Sequence, residues 1–207
     1  MTAEASGGDR RPEEDHEYET GPPTDEARPE WDDPYLDRVA DSLQFNYDLA
    51  RDERVDGHRF PLYGRLEMDS HKQFLHPAIS FGHQYSYEHL YVDRRARPTV
   101  AGLDSLVGVG HDLADDIDHD EEHFATEFTF VVLAEELPDD VAAHVAGYDD
   151  RTMLKYGYHG HYEVHLAVAV LDDERVVDSG TAIADAFRLW DTDDGPSGVL
   201  GRLKGLF

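Results

Sequence analysis

An α+β domain, with a mixed or mainly antiparallel sheet and two to three helices packed on it, is the fold class this sequence predicts. Three observations carry that expectation. Residues 34–51 and 99–117 repeat apolar side chains at helical spacing. Several runs rich in Tyr, Phe, Leu and Val, punctuated by Gly57, Pro77 and Gly82, have the composition of strands. Their order along the chain is helix, three strands, helix, strand, helix and two strands, with no internal repeat.

Residues 1–32 are rich in Glu, Asp, Pro and Gly, with Tyr18 and Trp31 almost the only large apolar side chains. Such a segment buries too little surface to offset its ordering entropy, so a disordered acidic tail is expected there. A single domain is expected over 33–191. Asp33 suits an N-cap and Pro34 the first helical position. Leu36, Val39, Ala40, Leu43, Tyr47 and Ala50 then share one helical face, which predicts a helix to about Arg51. Extended stretches follow near Phe60–Met68, Gln73–Phe81 and Gln84–Val92. Thr99 can cap a second helix whose face is Leu103, Leu106, Val107, Gly110, Leu113, Ala114 and Ile117. Glu127–Leu133 is almost continuously apolar, as in a strand buried on both faces. Pro138-Asp139-Asp140 opens a short third helix carrying Val141, Ala142 and Val145. Tyr162–Leu171, the most apolar stretch, is the expected central strand, and Arg175–Asp178 can pair with it across an acidic turn. Ala182–Trp190 fits either a strand or a helix. Residues 192–207 form a linker and a short apolar, slightly basic tail, in which Val199, Leu200, Leu203, Leu206 and Phe207 offer a stripe for docking on a partner or on the chain itself.

Composition constrains the setting. Acidic residues outnumber basic ones 46 to 18, giving a formal net charge of −28 at pH 7. Repulsion on that scale strains a compact domain at low ionic strength, whereas molar salt shortens the Debye length to roughly 3 Å. Only Lys72, Lys155 and Lys204 are lysines, so ammonium-tipped apolar stems are nearly missing from the surface. Both features predict adaptation to a molar-salt cytoplasm. The chain has no cysteine, which excludes disulfides, thiolate metal sites and cysteine nucleophiles. No signal peptide and no apolar run of roughly 20 residues is present, so a cytoplasmic protein without a membrane span is expected.

The most specific local feature is the run from Tyr156 to His165. On a strand, His159, His161, Glu163 and His165 fall on one face, with Tyr158, Tyr162 and Val164 on the other. Imidazoles and a carboxylate form the N/O donor set preferred by a divalent transition metal. At about 3.3 Å per residue the outer pair lies roughly 20 Å apart, so one ion takes only a subset. The expected ligands are His159, His161 and Glu163, completed by His83 or His89, with His76 also available. Structural histidines are the competing reading, since 13 histidines produce close pairs by chance.

A second strand, His83–Tyr91, places His83, Tyr85, Tyr87, His89 and Tyr91 on one face. Were it to neighbour the histidine strand, Tyr85, Tyr87, His89, Tyr158 and Tyr162 would form a face for a planar ligand or a partner. The loop Asp116–Glu122 has calcium-like spacing, with Glu127 at the closing position. Glu121 replaces the required glycine, however, and a strand follows where a helix should, so chance explains the match. The cluster Arg94-Arg95-Ala96-Arg97 fits either an anion site or local pairs with carboxylates. Nucleic acid is not the expected partner, because molar salt removes the counterion-release advantage.

The element order over Pro34–Leu133 resembles the restriction-endonuclease-like core. That resemblance implies an acidic residue at Glu67 or Asp69 and a second at Glu88, but Leu90 stands where the family has a lysine, which leaves nuclease chemistry incomplete. In its composition, and in the strings Ser86-Tyr87-Glu88-His89-Leu90 and Tyr158-His159-Gly160-His161-Tyr162-Glu163-Val164, the chain also resembles a group of small haloarchaeal proteins with no known activity. The likeness covers roughly Pro34 to Trp190 and implies a setting, not a mechanism. Neither a Gly-rich phosphate loop, a Gly-x-Ser-x-Gly elbow nor a His-Glu-x-x-His helix occurs.

The leading expectation is therefore a non-enzymatic binding or regulatory domain that engages a protein or small ligand through the Tyr/His face. A metal-dependent, hydrolytic enzyme, with Glu163 as ligand or general base, is the alternative. A structural subunit of a larger assembly is the third reading.

Overall fold

A computed structural model describes residues 28–72 and 82–192. It shows a mixed α+β fold, a seven-stranded sheet with antiparallel and parallel pairs and three α-helices. The elements are α1 (Pro34–Leu43), β1 (Asp48–Val55), β2 (His58–Lys72), β3 (Gly82–Arg94), α2 (Val100–Asp115), β4 (His123–Ala134), α3 (Asp139–Ala146), β5 (Arg151–Met153), β6 (His161–Val170) and β7 (Arg175–Asp178). Short 3-10 turns occupy Leu154–Gly157, Ala182–Phe187 and Leu189–Thr192.

Local chemistry starts the helices as expected. The Asp33 carboxylate accepts from the Tyr35 and Leu36 amides, with Pro34 behind it. Thr99 likewise accepts from the Gly102 amide at the start of α2. The first helix is shorter than its apolar spacing suggests. It ends at Leu43, the chain turns, and Tyr47 packs into the core from outside the helix while Ala50 belongs to β1. Strand β1 is mostly charged and lies at the sheet edge, so no apolar alternation announces it. The stretch Gln73–Phe81 lies outside the described residues. Ala182–Trp190 is built of 3-10 turns in place of a strand or a regular helix.

The sheet order is β1-β2-β3-β4-β6-β5, with β7 also on β6. β1 to β3 form an antiparallel meander; β3, β4 and β6 run parallel, with α2 and α3 in the connections. The outer edge of β6 is shared. β5 pairs with its start and β7 with its end, as the Arg175–Asp178 pairing anticipates. Between them the Asp150 carbonyl accepts from the Val164 amide at 3.2 Å, and Ser179 takes the Leu166 amide at 3.0 Å.

Each face of the sheet has its own core. Against α1 and the turn at Ala182–Phe187 pack Leu62, Leu90, Val92, Val131, Leu133, Ala167 and Ala169. Against α2 and α3 pack Tyr91, Phe128, Phe130, Val132, Val164, Leu166, Val168 and Val170. β4 and β6 are thus buried on both faces over their second halves. In their first halves the residues on the α1 side include the polar, partly buried Glu127, His161, Glu163 and His165, which lie outside the core cluster that packs on α1. No helix among the described residues is long and apolar enough to cross a membrane.

Candidate metal centre

The parallel register of β3, β4 and β6 lines residues up across the sheet. Glu88 stands beside Glu127, Glu127 beside Glu163, and Glu163 beside Arg151 on β5. At a strand spacing of about 4.8 Å this makes a row of three carboxylates ended by a guanidinium. One residue pair further on, the row reads Leu90, Thr129 and His165; one pair back, it reads Ser86, Ala125 and His161. Alternation on the strands puts all of these on the α1 face, continuous with Val131 and Ala167.

Glu127, Glu163 and His165 each offer one ligand atom, and the three atoms lie within 4.8 Å of one another. The His165 Nε2 is 3.1 Å from Glu163 Oε2 and 3.8 Å from Glu127 Oε2. Ligands about 2.1 Å from a tetrahedral ion lie roughly 3–3.5 Å apart, so small side-chain adjustments bring these atoms onto one cation. Two carboxylates with an imidazole suit zinc, manganese or iron. The flanking groups hold the cluster in place. The Arg151 guanidinium binds the Glu163 carboxylate and also reaches His161 Nε2 at 3.1 Å. Tyr47 donates its hydroxyl to Glu88.

The electrostatics favour a bound positive charge. Burial, then the neighbouring carboxylates of Glu88 and Glu163, raises the Glu127 carboxyl from its ordinary 4.5 to about 7. Glu127 therefore gives up its proton less readily than an ordinary glutamate. A divalent cation in the row would replace that proton and relieve the repulsion. Burial, helped by Arg151, lowers the His161 pKa, and its Nε2 accepts from the Arg151 guanidinium.

The structure separates the residues expected to work together. His161 and Glu163 do share a face with His165. His159 precedes β6 and does not join them; its Nδ1 lies 2.9 Å from Nδ1 of His119. His89 points to the opposite side of the sheet, where its ring stacks on Phe128 with centroids 5.3 Å apart and its Nδ1 meets the Tyr63 hydroxyl at 2.8 Å. Burial, then Arg65, lowers the His89 pKa to about 4. The side chain of His83, together with His76 and the tail residues Leu200, Leu203, Leu206 and Phe207, lies outside the described residues.

The expected Tyr/His cleft required β3 beside β6, but β4 lies between them. Tyr85, Tyr87 and His89 are half-buried on the α2 side with Tyr91, which packs against Phe60 and Phe130. Tyr162 bonds His111 of α2 at 3.0 Å, whereas Tyr158 sits in the loop before β6 and is exposed. Glu67 pairs with Arg65 on the α2 side, so it does not face Glu88 as the endonuclease-like pattern requires. The arginine cluster is locally paired: Arg94 with Asp33, Arg95 with Asp93, and Arg97 with Glu136.

Glu127 is the functional candidate that strand-by-strand reading misses as a ligand. Its signal is a carboxylate at the head of an otherwise apolar buried strand, an expensive placement. No curated protein and no solved structure matches the chain. A family model described as Domain of unknown function (DUF8052) does match, over residues 32–189, and as that span takes in the sheet and its carboxylate row, the chain belongs to this family.

Proposed function

We propose that the protein is a metal-dependent enzyme of hydrolytic class, binding one divalent transition metal through Glu127, Glu163 and His165. The convergence of those three partly buried ligand atoms on one face of the sheet supports the reading. Such an ion polarises a carbonyl or phosphoryl group and activates water at neutral pH. In this arrangement Arg151 fixes the orientation of Glu163, and Glu88, held by Tyr47, is the carboxylate left to accept a proton. The acidic composition supports a high-salt cytoplasm as the working environment, where screening tolerates a carboxylate row. It also supports the haloarchaeal setting that the sequence strings suggest.

The test is zinc and manganese binding to the full chain in molar KCl, followed by metal-dependent turnover of activated ester and phosphate substrates. Glu127→Gln and His165→Ala should each weaken binding at this site by more than the roughly 10–100-fold typical of losing an outer-shell partner, and abolish turnover. Unchanged metal affinity in both variants removes the centre. Binding without any turnover leaves a metal-binding domain and removes the enzyme.

A further inference from the structure

A second group of metal-ligating side chains lies in the loops leading into β4 and β6. His119 and His159 are 40 residues apart in sequence, yet their Nδ1 atoms are 2.9 Å apart with the rings at 66°. Both loops are clamped. The Asp120 carboxylate accepts from the amides of Glu122 and His123, which shapes the loop that presents His119. His123 Nδ1 meets the His159 carbonyl at 2.7 Å, which makes that nitrogen the N–H donor, while its Nε2 faces Thr126 Oγ1 at 2.8 Å. Gly160 then passes so close to β4 that a Cβ there would lie 2.1 Å from the Phe124 carbonyl oxygen; its φ of +71° is one that glycine adopts freely. The backbone that carries His159 is therefore fixed against β4.

Two facing Nδ1 atoms admit two arrangements: a shared proton, or two lone pairs on one cation. Features around the pair favour a bound species. An open hollow of about 750 Å³ adjoins His159 and is lined by Glu121, Lys155, Tyr156 and Tyr158 as well. Its wall contains Lys155 and Tyr156 at φ of 44° and 58°, a left-handed conformation costly for residues with side chains and concentrated at ligand sites. The hollow gives a third ligand, whether water or an incoming group, room to reach the metal.

We propose that His119 and His159 form a second transition-metal site, imidazole-based where the first is mainly carboxylate, for a nitrogen-preferring divalent cation such as zinc. Two imidazoles within one coordination sphere favour the later first-row metals and discriminate against magnesium and calcium. This site stands independently of the centre on the sheet face.

Zinc titration of the full chain in molar KCl against a chromophoric chelator tests it, with imidazole nitrogen chemical shifts followed in parallel. Two equivalents are expected. His119→Ala and His159→Ala should each remove one equivalent and leave the other, whereas Glu127→Gln should remove only the remaining one. His58→Ala, on β2, serves as the control and should retain both. The Nδ1 resonances of His119 and His159 should shift together in the wild type. Retention of both equivalents in His119→Ala and His159→Ala, with circular dichroism showing folded protein, overturns the site. So does a zinc titration that leaves both Nδ1 resonances in place. A wild type that binds one equivalent, lost in His119→Ala and in His159→Ala but kept in Glu127→Gln, would count against the sheet-face centre and leave this one standing.

Discussion

At one register the two sides of the sheet differ completely. On the α2 side of β4 and β6 stand Phe128 and Val164, packed under a helix that approaches closely enough for Gly110 to lie against Val164 and Phe130. On the other side, one residue away along each strand, stand Glu127, Glu163 and His165. The same backbone ladder supports both. What differs is the packing: the core on α1 and the Ala182–Phe187 turn covers the second half of the strands, while the first half on that side carries partly buried polar groups. The contrast shows how a fold keeps a half-buried cluster of like charges. Packing on the covered face holds the backbone rigid, so the carboxylates cannot move apart.

If so, damage to the covered face should cost most. Phe130→Ala removes a fully buried ring in contact with Phe60 and Tyr91, and should lower unfolding free energy by about 3–5 kcal/mol in chemical denaturation at molar KCl. A loss below about 1 kcal/mol would mean that this face is not the rigid one. Gly160→Ala comes next, at about 2–3 kcal/mol, because the new methyl group meets backbone and the residue has a positive φ. Hydrogen exchange should show the loss concentrated at the start of β6.

The two sides should also titrate with opposite sign. Glu127 has its carboxyl at about 7 in the folded chain against an ordinary 4.5, so the folded form binds the proton more tightly. Stability then falls as pH rises from about 4.5 to 7 and is level above. His89 is lowered to about 4 from 6.5, so its contribution is lost as pH falls through that window. After allowance for partial exposure, each should be worth about 1 kcal/mol. In metal-free buffer Glu127→Gln should leave the His89 slope alone, and His89→Phe the Glu127 slope alone. Two variants with the same pH profile would contradict the assignment. The smallest effect belongs to Tyr47→Phe, which removes one hydrogen bond to Glu88 and should cost about 1 kcal/mol or less.

Much of the fold was legible because burial leaves a periodic trace. The helical face from Leu103 to Ala114, the apolar run after Glu127 and the acidic turn before Arg175 each identify their element. β1 left no such trace, since an edge strand with few buried side chains has little apolar alternation to display. Tyr47 and Ala50 extended the apparent helix for a related reason: burial from two different elements fell at one spacing. In the site, alternation correctly placed His161, Glu163 and His165 together. The partner Glu127 depends on β4 lying beside β6 in parallel, which is a non-local fact that neither strand encodes alone. His159 misled because a chain that looks extended breaks at Gly160 before β6 begins.

Strand β1 has a consequence for association. A free strand edge is a template for another chain, and ordinary proteins guard it with charge. In molar salt that defence is weak, because repulsion fades beyond roughly 3 Å. Here the edge carries a second safeguard that salt cannot screen. Asp52 has a φ of 57°, so the extended backbone is interrupted in the middle of the strand, although its register with β2 is the same on either side. A second copy could follow the ladder for only a few residues on either side of it. At high ionic strength, shape more than charge would limit pairing along this edge.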